Sequence, residues 1–136
     1  MTSTPSSGIT EPTARQEGDK ANEHPERKPF QPVVEVSSLM AGHGLAFGKV
    51  GDALSNKEAE HRLKEIGKWS DVVAELSNVH TRYDRERAYL EMAAATRTIA
   101  LELAGAARAA TPDEAALETL FKKLDRSCEA CHDSDY

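Results

Sequence analysis

The sequence predicts an all-α fold, an antiparallel four-helix bundle, and three observations lead to it. After residue 32, apolar residues recur at alternating steps of three and four along four successive stretches, the period of helices that each bury one face. Capping residues and short polar breaks separate those stretches, so neighbouring helices must double back beside one another. No stretch alternates apolar and polar residues for a useful strand length, which leaves helix-on-helix packing to bury the faces.

At 136 residues the chain is long enough for one domain with a modest core. Residues 1–32 hold five of the six prolines and have Phe30 as their only aromatic, the composition of a disordered tail or tether. Such a tail either spaces the domain from a membrane or partner or has no role. Residues 33–136 are the predicted bundle domain.

The first helix is expected from about Val33 to Leu54, with Val36, Met40, His43, Phe47, Val50 and Leu54 on one apolar stripe. Ser55 to Glu58 reads S-x-x-E, a capping box that predicts the start of a second helix ending near Asn78. Its inner face is Leu63, Ile66, Trp69, Val73 and Leu76. Thr81 is expected to cap the third helix, an alanine-rich stretch running to about Ala110 that turns Tyr89, Met92, Ala93, Thr96, Ile99, Ala100, Leu103 and Ala107 inward. Thr111, Pro112 and Glu114 supply an N-cap, a first-turn proline and an acid three residues after the cap. The fourth helix then carries Leu117, Leu120, Phe121 and Leu124 on the face that continues into Cys128 and Cys131.

Chemistry concentrates in Cys128, Glu129, Ala130, Cys131 and His132, a C-x-x-C-H run. This spacing is the attachment signature of c-type haem: two thiols add across the porphyrin vinyl groups and the adjoining imidazole supplies an axial nitrogen. On a helix, all three side chains fall on one face and can reach one flat cofactor. Other readings fit less well. A thioredoxin-like pair opens a helix in a βαβ setting, whereas this pair follows a long helical pattern. A structural zinc needs about four ligands, and no second Cys pair or H-x(3–5)-H group supplies them. A disulfide between residues three apart would close a very small loop and stabilise little.

Antiparallel order brings the start of the first helix beside the end of the fourth, so residues near 36–44 are expected to face a haem held at 128–132. Met40 lies on the core stripe at that level and is the candidate sixth ligand of the iron, a soft thioether that raises the potential. His43, one turn further along the stripe, is its rival and would give a lower-potential bis-histidine site. His61 and His80 read as surface residues, and His24 belongs to the tail. Gly44, Gly48 and Gly51 form a stripe flanking Met40, costly in a helix at roughly 1 kcal/mol each, that would let a porphyrin or a neighbouring helix approach closely. Lys122, Lys123 and Arg126 precede the motif, where cations are favoured near a helix C-terminus and could also orient a partner.

The formal net charge of −6 argues against a nucleic-acid partner. No run of about 18 apolar residues is present to span a membrane, and no signal peptide opens the sequence. Covalent haem attachment is generally extracytoplasmic, so a periplasmic or similar location is expected, with the export signal or anchor outside this sequence.

On CEACHD after LETLFKKLDRS, and SLMAGHGLAFGKVGDAL in the first helix, residues from about Val33 onward resemble the cytochrome c′ family, the class II c-type cytochromes. The resemblance implies a four-helix bundle with one covalent haem c near the C-terminus, Cys128 and Cys131 as thioether residues, His132 as proximal iron ligand and Met40 as distal ligand. Its methionine-ligated, low-spin branch is the nearer, because Val36 stands where gas-binding members often carry a basic residue. After the motif, Asp133 to Tyr136 depart from the family's usual aromatic-then-basic continuation. The expected function is single-electron transfer to redox partner proteins rather than enzymatic turnover. The alternative is a gas-binding module for nitric oxide or carbon monoxide with a vacant or displaceable distal ligand. Family members commonly dimerise through the first two helices, and the glycine stripe is compatible with a homodimer.

Overall fold

The structure, a computed structural model, describes residues 29–132. From Glu35 onward the chain forms a unit of four helices: α1 (Val36–Ser55), α2 (Arg62–His80), α3 (Arg87–Ala107) and α4 (Glu114–His132). No strand occurs among the described residues, so the fold is all-α. Residues 29–34 are non-helical and exposed, and the rest of the predicted tail lies outside the described residues.

The helices bury the faces that the apolar spacing marks. Ile66, Val73, Leu103, Leu117 and Leu124 are fully or almost fully buried and meet in one core with Val50 and Ala100. Alanines at 93, 100, 104 and 107 let α3 approach its neighbours closely, and it packs along both α2 and α4. Helices α1 and α2 also pack along their length, whereas α1 and α4 touch only sparingly. That difference shows in α1 itself: Ala46, Val50 and Leu54 are buried, while Val36, Met40 and His43, on the same stripe, are half-covered. The stripe in the first half of α1 therefore borders a space on the side of α4, while His43 still reaches Ser77 of α2.

Helix boundaries differ from the sequence expectation at four places. Helix α1 starts at Val36; Val33 and Val34, expected inside it, precede it and are exposed. Ser55 closes α1 instead of opening α2; α2 begins at Arg62, after His61 has turned the chain in a left-handed conformation with φ 64°. Thr81 terminates α2 rather than capping α3: its amide bonds back to Ser77 and Asn78, and its hydroxyl donates to the Asn78 carbonyl at 2.6 Å. Helix α3 starts six residues later, at Arg87. At α4 the cap is Asp113, whose carboxylate accepts the Ala115 amide at 3.0 Å, so Thr111 and Pro112 lead into the helix without forming it.

The late start of α2 has a physical reason in Arg62, which is buried. Its Nε donates to the Ala53 carbonyl at 2.9 Å and its Nη2 to the Leu54 carbonyl at 3.0 Å, satisfying acceptors that the end of α1 leaves open. The same guanidinium donates to both Glu114 oxygens, at 2.6 and 2.8 Å, in a two-point pair at the start of α4. Arg62→Leu is expected to cost about 2–4 kcal/mol, since it leaves two carbonyls and a carboxylate without their partner. Glu114→Gln should cost less, because Glu114 is half-exposed and Arg62 keeps its carbonyl bonds. Urea unfolding of the two variants against the parent chain checks both the size and the order.

Candidate functional site

Where α1 and α4 part, the molecule has a cavity of about 380 Å³. Met40, His43, Gly44 and Phe47 of α1 form one wall, and Asp125, Cys128, Glu129 and Cys131 of α4 another. His80 at the end of α2 and Tyr89, Ala93 and Thr96 of α3 complete it. Phe47 stacks on Phe121 of α4 with ring centroids 4.7 Å apart and planes 7° from parallel. Phe47 lines this cavity and Phe121 lines a second hollow beyond it, so the stack separates the two. Gly51 lets Phe121 in: a Cβ there would sit 3.2 Å from its ring. At Gly44 an added Cβ would meet nothing within 4 Å, because that position borders the cavity.

The two thiols and both candidate distal groups thus share one enclosure. Cys128 is half-buried and Cys131 buried, and neither is in a disulfide. Burial pushes the Cys128 thiol up to about 11, helped by the nearby carboxylate of Asp125, and raises Cys131 as well. Both therefore remain protonated at neutral pH, the state in which a thiol is slow to oxidise. His132 is the last residue of α4 that the structure describes, and its side chain, with Asp133 to Tyr136, lies outside the described residues. Among the described residues no three His, Cys, Asp or Glu side chains gather where they could hold a metal ion.

Polar side chains in the cavity wall bond mostly to one another. Ser77 Oγ lies within hydrogen-bond distance of both the Val73 carbonyl, at 2.8 Å, and His43 Nε2, at 3.1 Å. Thr96 Oγ1 likewise meets the Met92 carbonyl, at 3.0 Å, and the Ser127 hydroxyl. His80 Nδ1 pairs with the Tyr89 hydroxyl, while His80 Nε2 is buried without a partner. The His43 and His80 rings meet edge to face, 4.9 Å between centroids.

His80 corrects a sequence expectation. It is 2% exposed rather than a surface residue. Helix α2 runs on to include it, and the inner stripe of Ile66, Trp69, Val73 and Leu76 reaches His80 one step of four later, a continuation visible in the sequence. His61 is exposed as expected, 3.9 Å from Glu60. Lys122, Lys123 and Arg126 are exposed on α4, and Trp69 donates to Glu65 at 3.1 Å on a half-buried face. No helix among the described residues is long and apolar enough to cross a membrane. The chain matches no model of a known family, no curated protein and no solved structure.

Burial, with the positive neighbour Arg85 and the adjacent His43, lowers His80 to about 4 from an ordinary value of 6.5. The unfolded chain takes up this proton first as the pH falls, so the neutral, buried imidazole favours folding above 6.5 and that contribution is lost between 6.5 and about 4. Unfolding free energies of the haem-free chain across this window should fall by up to about 3 kcal/mol more than those of His80→Gln. Equal slopes for the two chains would show that His80 does not titrate as its burial requires.

Proposed function

We propose that this protein is a c-type cytochrome of the cytochrome c′ kind, an extracytoplasmic single-electron carrier with one covalent haem in the cavity between α1 and α4. The observation that carries this reading is the convergence of Cys128, Cys131 and Met40 on one mainly apolar cavity from opposite ends of the sequence. The residues present fit the group: two protonated thiols on one helix face, a soft thioether on the facing helix, and a mainly apolar enclosure. An antiparallel bundle is the arrangement that explains the pairs Arg62 with Glu114, Phe47 with Phe121 and Thr96 with Ser127.

Cys128 and Cys131 would each add across one vinyl group, sulfur to one carbon and the thiol proton to the other, with no change of oxidation state. His132 would hold the iron from the α4 side and Met40 from the α1 side. When bound, the haem supplies reversible one-electron chemistry between ferric and ferrous iron. The chain's own part is to fix two axial ligands, exclude water with Phe47, Ala93 and Tyr89, and leave an edge from which electrons exchange with a partner. The open space at Gly44 would give a bound haem room beside the α1 backbone. It also favours the second reading, in which Met40 yields the iron to a small gas molecule, because the half-buried Met40 has unfilled volume beside it.

In natively matured protein, the haem should stay with the chain through acid–organic extraction, and Cys128→Ser with Cys131→Ser together should release it. Absorption spectra of the oxidised and reduced protein should be low-spin and insensitive to carbon monoxide. A high-spin reduced spectrum that shifts fully with carbon monoxide would replace the electron carrier by the gas-binding module, and an absence of covalent haem would sink both.

A further inference from the structure

We propose that His80 is a latent iron ligand of this cavity, the nitrogen that takes the sixth position when Met40 does not hold it. The inference rests on the haem reading above and concerns which imidazole, of the two in the cavity wall, competes with the thioether. His43 is the one on the α1 stripe, but its Nε2 is engaged with the Ser77 hydroxyl at 3.1 Å. That nitrogen must break its bond with Ser77 before it can meet a metal.

His80 is arranged the other way. Its ring is 2% exposed and lines the cavity, its Nδ1 is held by the fully buried Tyr89 hydroxyl, and its Nε2 has no hydrogen-bond partner. Buried polar atoms are almost always paired, and one left alone in a cavity wall requires an explanation. Metal-binding imidazoles characteristically have one ring nitrogen oriented by a second residue and the other left for the metal. Tyr89 and His80 supply that pair: the tautomer that donates Nδ1–H to the phenol oxygen leaves the Nε2 lone pair for a metal. Imidazole nitrogen suits iron, so a vacated sixth position would attract it.

The test uses natively matured protein carrying Met40→Ala. The expected result is loss of the thioether-to-iron charge-transfer band with a low-spin spectrum retained, and electron spin resonance of a two-imidazole type. Adding His80→Gln, which leaves Tyr89 a hydrogen-bonding partner, should convert that protein to high-spin; adding His43→Leu should not. Circular dichroism melting of each double variant separates loss of a ligand from loss of fold, and His80→Leu provides a second removal of the imidazole. The proposal is overturned if Met40→Ala alone is high-spin, or if low-spin character disappears with His43→Leu and survives His80→Gln. These failures leave covalent haem in place and so differ from failure of the haem reading itself, in which no haem is retained by the parent protein. A parent protein that already shows two imidazoles, lost on His80→Gln, would support His80 and remove Met40 from the iron.

Discussion

The guanidinium of Arg62 ties together the end of α1, the start of α2 and the start of α4. Four of its hydrogen bonds run to two backbone carbonyls and one carboxylate, and all of them are made by a buried side chain. A buried charge is tolerable only where its donors are so fully used, which leaves little freedom in how the three segments meet. It therefore holds α1 and α4 together at one end, and Lys57, within 4.0 Å of Glu114 and 3.8 Å of Glu118, adds weaker attraction there. Further along, Phe47 stacks on Phe121 between the two helices. The cavity lies beyond that stack, between Met40 and the two cysteines.

An opening of this kind between two helices has to be lined, and the lining has two characters. Phe47, Ala93 and Gly44 make it apolar, suited to a flat hydrophobic group. His43, Ser77, Thr96, Ser127, Tyr89 and His80 make a polar seam along the inner side, and nearly every hydrogen in it is accounted for by a bond within the seam or to a helix carbonyl. Such a seam fixes side-chain positions without filling the space, so the cavity is shaped in advance of any occupant. Among the described residues, His80 Nε2 in its wall is buried without a hydrogen-bond partner.

Much of this was legible before the fold. The inward residues of α3, from Tyr89 through Ala107, are half-buried or buried at every position that the spacing marks, and the face of α4 continues unbroken from Leu117 to Cys131. Helix ends were less legible, for a local reason. Ser55, Thr81 and Thr111 are residues that can cap a helix from either side or stand just outside it, because a short hydroxyl bonds equally well to a free amide ahead or a free carbonyl behind. Thr81 took the carbonyl of Asn78, and Asp113 took the amide at α4. Arg62 carried no sign of burial in the sequence, since an arginine beside Glu60 and His61 reads as solvent-facing until Glu114, 52 residues away, is brought against it.

What the sequence determined by itself is the number of helices, the faces they bury and the thiol pair on the last of them, all properties of spacing along one chain segment. Spacing follows from the helical repeat, which is local, so it can be read without knowing the neighbours. The tertiary structure decided what no single helix contains: that Arg62 is a buried clamp, that α1 and α4 part where Met40 faces the cysteines, and that His80 rather than His43 keeps a free nitrogen. Each of these depends on which distant group arrives to accept or donate a bond, and that is set by packing among segments far apart in the chain.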